Sequence, residues 1–351
     1  MVHWLGAVQS QDYAGAKWAL AQRAAGLVDA DLDRAFDEGQ ILRTHVLRPT
    51  WHFVTPADIR AWLLVTGPRV ERLNGLYYRK AGLDATVLSR CRRVLERELR
   101  DGRHRTRAEL AGRLARLGLT LDGQGLAYVV MHAELTGLVC SGPRRGKQFT
   151  YALLDERAPA PVPSRDAALA ALTSRYFTGH GPATLNDFSW WSGLTMGEAR
   201  EGVAMMGAGV ERERVGEREC LSLPAPAVRR GPSPAVYLLP NYDEALIAYR
   251  DRGGASAGRG TVAPTNTVRP AYPHQLVIDG VLAGGWGRTE RATRVDVRVR
   301  VTRALSGPER AALDKAVSRY GVFLGKPATL EVVSTDPSSV RGARGFARPA
   351  R

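Results

Sequence analysis

The sequence predicts an α+β chain: three tandem winged-helix units, then a β-rich C-terminal domain. Three observations carry this. A helix, helix, hairpin order recurs three times before residue 230. A Pro-Ala-Pro-Val-Pro linker at 159–163 separates the second occurrence from the third. Valines alternate with charged residues over 294–301, the period of a strand with one buried face. At roughly 100–200 residues per domain, 351 residues leave room for these modules and a sizeable core without staples.

In the first unit (1–82), Trp18, Leu20, Ala21, Ala24 and Ala25 give a helix over 15–25 one apolar face. A second helix spans 31–38, with Leu32, Ala35 and Phe36 on one side and Gly39 as its stop. The stretch Ile41–Thr55 then turns β-branched and aromatic, a hairpin folded about Pro49. A longer helix starts at Pro56 with Thr55 as its cap.

The second unit (83–160) repeats this grammar. Helices are expected at 85–100, at 107–117 behind a Thr106 cap, and at 123–136. A hairpin over 138–154 carries GPRRGK, Gly142–Lys147, at its tip. The third unit (164–230) has helices at 166–178, 184–190 and 195–206. Thr184 stands three residues before Asp187, which suits a helix start. The unit ends in a hairpin turning at Gly216. Such repeats are the organisation of tandem winged helices, a helix-turn-helix variant.

The C-terminal domain (231–333) opens with a mixed run, 236–252, and a loop over 253–267. Strands follow over 275–301, with Asp279-Gly280 as a two-residue hairpin turn. A helix is expected at 308–320. Residues 334–351 read as a disordered basic tail with Arg341, Arg344, Arg348 and Arg351.

Fifty basic residues against 35 acidic give a net charge of +15, which suits a polyanionic partner. Only five are lysine, so arginine-rich coding in a GC-rich genome is a second source of the excess. Three widely spaced cysteines, Cys91, Cys140 and Cys220, argue against a disulfide framework and a paired-cysteine zinc site, and fit a reducing cytoplasm. Seven histidines show no paired metal spacing. No apolar run approaches the ~18 residues of a membrane span, and no signal peptide precedes the first unit. No cofactor or metal is expected. Phosphate loops, dinucleotide fingerprints, zinc-protease helices and nucleophile elbows are all missing.

The segment Leu5–Tyr13, LGAVQSQDY, places Gln9 and Gln11 either side of Ser10. In an extended stretch, residues i and i+2 point the same way, so two amides could hold one water. A polar approach to the next helix, capped by Ser10 or Asp12, is the other reading of these residues.

Four segments together carry a resemblance: VQSQDYAGAKWAL, LRPTWHFV, GPATLNDFSWWSGLT and LLPNYDEALIAYRDR. Nearly the whole chain resembles the AlkZ/YcaQ-type bacterial DNA glycosylases, also called winged-helix DNA-binding-domain-containing proteins. The resemblance implies tandem winged helices forming a basic concave surface, with a β-rich C-terminal part. It implies excision of alkylated purines, including unhooking of interstrand crosslinks made by genotoxic natural products. Gln9 and Gln11 fall on the Gln–apolar–Gln positions of the AlkZ-like branch, with Ser10 in place of the apolar residue. The motif lies nine residues from Met1, closer than in relatives with a preceding helix, so either the first unit is shortened or the start codon is placed late.

The implied chemistry is economical. An N7- or N3-alkylated purine already carries positive charge, so its glycosidic bond is weak and the leaving group needs no protonation. What remains is to position water and stabilise an oxocarbenium-like sugar. The expected activity is that of a monofunctional DNA glycosylase, with water attack at C1′ positioned by Gln9 and Gln11. The expected partner is double-stranded DNA, damaged or crosslinked, met by a monomer in the cytoplasm beside the nucleoid. Expected DNA contacts are Arg43, His45, Arg48, Thr50, Trp51 and His52 on the first hairpin, and Arg144, Arg145 and Lys147 at the second tip. Of Trp190 and Trp191, at least one is expected in the core, and Asp243, Glu244, Asp251 and Arg252 read as a charged cluster. The rival class is a non-catalytic winged-helix DNA-binding protein, a regulator or a damage-binding paralogue, which would not need the glutamine pair.

Overall fold

The computed structural model describes residues 1–226, 231–250 and 272–334. It divides into two compact units. The first comprises Met1–Val228 and Tyr242–Asp251, the second Arg229–Asn241 and Arg252–Arg351. The expected single boundary at 231 is therefore crossed repeatedly, and the segment from Tyr242 returns to the first unit. The loop at 253–267, Asp251, Arg252 and the tail beyond Ser334 lie outside the described residues.

The first unit opens with a short helix, α1 (Val2–Leu5), and a two-residue strand, β1 (Val8–Gln9). Helix α2 (Tyr13–Arg23) starts where the Asp12 carboxylate accepts the Gly15 N–H at 3.0 Å, so Asp12 rather than Ser10 is the cap. Helix α3 (Asp29–Asp37) follows. Its Asp29 and Asp33 clasp the buried Lys17 of α2, each at 2.8 Å. Strands β2 (Leu42–Val46) and β3 (Arg48–Val54) form the hairpin, and β1 adds to β3 to give the order β1-β3-β2.

The hairpin turns at Leu47, not Pro49. Leu47 adopts a left-handed φ of 63°, while Pro49 lies inside β3. The reason is burial: Leu47 is 1% exposed, and its N–H reaches the Thr66 hydroxyl at 3.0 Å. Pro49, lacking an N–H, sits beside the ladder's irregularity at Val46, where no bond is forfeited. Helix α4 (Ile59–Lys80) starts three residues later than expected, after a turn in which Asp58 bonds back to Thr55.

The same order then recurs. Helix α5 (Ala85–Leu99) leads to β4 (Arg105–Thr106), α6 (Arg107–Ala115), α7 (Gly123–Leu135), β5 (Val139–Arg145) and β6 (Gln148–Leu153). The sheet order is β4-β6-β5, the first arrangement again. Thr106 and Glu109 form a reciprocal capping box at α6. A short helix, α8 (Leu154–Arg157), leads to α9 (Arg165–Gly179), α10 (Leu185–Ser192), α11 (Met196–Met205), β7 (Glu211–Val215) and β8 (Arg218–Ser222). Ala183 bridges Leu221 of β8, matching the place of β1 and β4 in their sheets. The main core of this unit joins Leu42, Leu47, Trp62, Tyr176, Phe177, Phe188 and Trp191, all but sealed from solvent. A second core gathers Leu95, Leu99, Leu110, Leu114, Val129 and Val130.

The chain makes β9 (Val236–Leu239) in the second unit, then α12 (Glu244–Ile247) in the first. Strands β10 (His274–Ile278), β11 (Val281–Glu290) and β12 (Val295–Val301), helix α13 (Gly307–Leu324) and strand β13 (Ala328–Ser334) complete the second unit. The five-stranded sheet runs β13-β12-β11-β10-β9. Asp279-Gly280 closes the β10–β11 hairpin, both with positive φ. Val295, Val297, Val299 and Val301 are buried, as their alternation predicts, each contributing about 1.5 kcal/mol. Strand β13 pairs parallel to β12 through α13, a crossover that no short-range signal announced.

Candidate active site around the glutamine motif

Strand β1 places Gln9 on the sheet of the first hairpin, with Cα opposite His52 of β3. Gln9 is 7% exposed and tied at both ends. Its backbone N–H donates to Glu244 Oε1 at 2.9 Å, and its side-chain Oε1 accepts from the Arg48 guanidinium at 3.1 Å. The next residue is fixed too. The Ser10 N–H donates to Trp51 O at 2.7 Å, and Ser10 O accepts from Arg43 Nε at 3.2 Å. Gln11, one residue further on, is exposed at a bend before the Asp12 cap. The motif is thus one anchored amide and one open amide. Ser10 is fully buried, and its hydroxyl has no partner among the described residues.

His52 is completely buried. Its Nδ1 lies 2.9 Å from Thr50 O, a pure acceptor, so Nδ1 carries the proton. Nε2 then presents a lone pair that finds no partner among the described residues. Burial, reinforced by the Arg48 charge, holds the imidazole down to about 3, so it is neutral at physiological pH.

Glu244 sits behind Gln9, 2% exposed. Its second oxygen accepts from Trp191 Nε1 at 3.0 Å and lies 3.7 Å from His180 Nε2. Burial alone would raise its pKa. The imidazole of His180 and the Gln9 N–H outweigh burial and hold the carboxyl below its usual range. Asp243 beside it is fully buried and takes a two-pronged bond from Arg23, at 2.5 and 2.9 Å, which clamps α12 to the end of α2. Of the two described members of the expected charged cluster, Asp243 is therefore in structural pairing and Glu244 touches the motif.

The expected DNA contacts divide by burial. Arg43, His45 and His52 are all buried. Arg43 lies between the rings of Trp51 and Phe149, 4.3 and 4.6 Å from their centres, and burial lowers its pKa to about 10. His45 pairs with the buried Glu134 and packs 4.3 Å from the Trp51 ring centre. These side chains build the floor of the motif, which narrows the hairpin's open surface to the half-buried Arg48, Thr50 and Trp51. At the second hairpin, Arg144 is half-buried on Asp33 and the Tyr13 ring. Arg145 is exposed and bonded to Glu109, and Lys147 is exposed at the tip. Trp191 is the core member of its pair. Trp190 is 46% exposed, with the Arg48 guanidinium 5.8 Å from its ring.

Sequence reasoning missed Glu244, His180 and Trp191 as neighbours of Gln9. The DE pair in PNYDEALIAYRDR was the only available signal. Among the described residues, no group of three His, Cys, Asp or Glu side chains is placed to hold a metal ion. No described helix is long and apolar enough to cross a membrane.

A strand-edge glutamine fixed within a repeat of helix-and-hairpin modules defines a class: the chain belongs to the AlkZ-like DNA glycosylase family, whose sequence profile matches residues 2–323. Its partner is accordingly DNA. The chain is similar to a protein of Streptomyces sahachiroi described as an interstrand DNA cross-link repair glycosylase. The two are 23% identical over 303 residues, covering 80% of this chain and 79% of that one. The solved structure of the Streptomyces sahachiroi DNA glycosylase AlkZ shares the fold, with a TM-score of 0.76 at 21% identity. That match covers 95% of this chain and 92% of the other.

Proposed function

We propose that this DNA glycosylase excises cationic N-alkylated purines from duplex DNA, with Gln9 and Gln11 positioning the attacking water. Interstrand crosslinks are a further substrate class, in keeping with the name of the Streptomyces relative. The observation that carries the reading is the anchoring of Gln9. Its backbone is held by Glu244 and its side chain by Arg48, while Gln11 stays open. In the reaction, the C1′–N9 bond of an N7-alkylguanine breaks and its electron pair neutralises the purine. Water oxygen bonds to C1′ and releases its proton to solvent. A neutral amide orients that water without needing to be a strong base. The three strand, helix, helix, hairpin repeats are read as winged helices at 1–82, 83–160 and 164–230, presenting a basic concave surface to the duplex as a monomer.

The test is base release from a duplex with a single N7-methylguanine, and strand unhooking from a crosslinked duplex, at fixed salt. Gln9→Ala and Gln11→Ala should each abolish release while keeping duplex affinity. Release unchanged in both variants refutes the assignment. Absence of release by the wild type, with tight duplex binding, turns the reading to the non-catalytic binding protein.

A further inference from the structure

Gln9 and Gln11 are neutral, yet the cleavage proposed above builds positive charge on the deoxyribose. The charged and titratable groups gathered about Gln9 come from several elements. Arg48 and the neutral His52 stand on β3, and Glu244 stands at the start of α12. His180, just past α9, faces Glu244. Arg23, at the end of α2, is engaged by Asp243 in a two-pronged pair, so that carboxylate is already neutralised. Glu244 differs from Asp243: its oxygens are held by the uncharged N–H groups of Gln9 and Trp191, and the nearest imidazole nitrogen is 3.7 Å away.

We propose that Glu244 is a positioning residue of the glycosylase reaction, an anion fixed behind Gln9 against which the cationic sugar forms. It acts in two ways. Through the Gln9 N–H it sets the height of β1 and hence of the motif. Through its charge it favours a cation at the face Gln9 lines, from a site 2% exposed where water screens little. Because the carboxylate is already oriented by two N–H donors, no reorganisation is needed as the sugar becomes charged. The opposing Arg48 charge sits on Gln9 Oε1 itself, so the buried anion also offsets the repulsion Arg48 would exert on an incoming cation.

This deepens the glycosylase reading and rests on it. The experiment compares wild type, Glu244→Gln, Glu244→Asp and Gln9→Ala. It measures single-turnover release from an N7-methylguanine duplex. It also measures affinity for two duplexes bearing uncleavable sugars, a protonated pyrrolidine and the neutral tetrahydrofuran. Wild type should bind the pyrrolidine duplex more tightly. Glu244→Gln should slow release roughly ten- to hundredfold and weaken pyrrolidine binding by a similar factor. Tetrahydrofuran binding should stay within about twofold. Glu244→Asp should keep the preference for the cation. A wild type with no such preference overturns the inference without any variant, should Glu244→Gln fail to fold. Parallel weakening of both analogues in Glu244→Gln, the mark of a purely structural residue, also overturns it. Wild type that releases base no faster than Gln9→Ala overturns the glycosylase reading itself, and the inference with it.

Discussion

His52 makes folding stability depend on pH in a way the structure lets us work out. Its imidazole is held at about 3 in the folded chain, against 6.5 when unfolded. Between those values the unfolded chain binds a proton that the folded chain refuses. Stability is therefore unaffected above about pH 6.5 and falls as pH drops from there towards 3. Each unit of difference is worth 1.36 kcal/mol, so His52 alone removes about 2 kcal/mol by pH 5 and about 5 kcal/mol at saturation. The perturbation is His52→Asn, whose amide N–H can replace Nδ1 as donor to Thr50 O but does not titrate. Urea unfolding at pH 7 and pH 5, at matched ionic strength, should show wild type losing about 2 kcal/mol more than the variant. Equal losses in the two proteins would refute the argument, because every other titrating group is common to both.

Three other substitutions probe the framework of the site. Ser10→Ala removes a fully buried hydroxyl with no described partner, and should leave stability unchanged or raise it by up to about 1 kcal/mol in thermal unfolding. Gly193→Ala would set a Cβ 2.1 Å from Leu47 O at a φ of +72°. It should cost more than about 2 kcal/mol and slow base release by displacing the corner that carries Arg48. Arg23→Met leaves the buried Asp243 unpaired and should cost about 3 kcal/mol in urea unfolding, with partial recovery in Arg23→Met/Asp243→Leu.

The features legible in the sequence were local ones. The Thr106 cap and the pair Thr184 with Asp187 work within three residues, and a turn such as Asp279-Gly280 over two. Their residue types and spacing state the geometry directly, as do the alternating valines of β12. The resemblance located Gln9 and Gln11 but not their surroundings. Burial of Arg43 and His45 depends on Phe149 and Glu134, which arrive from the second repeat. The hairpin corner moved from Pro49 to Leu47 because core packing outweighed a turn propensity. Glu244 was legible only as part of a charged cluster, since its contact with Gln9 is a bond to a residue 235 positions away. No periodicity encodes such a meeting.

That separation has a consequence during synthesis. Gln9 leaves the ribosome among the first residues of the chain, but the carboxylate that holds it is still 235 residues from being made. At about 5–20 residues per second, roughly 10 to 50 s pass before β1 can be clamped. Throughout that interval the nascent protein carries Gln9 without the carboxylate that holds its backbone N–H. The helices and hairpins of all three repeats precede Glu244, so they can be complete before the motif is locked. The fold is therefore built to complete its helix-and-hairpin framework first and to fix β1 last.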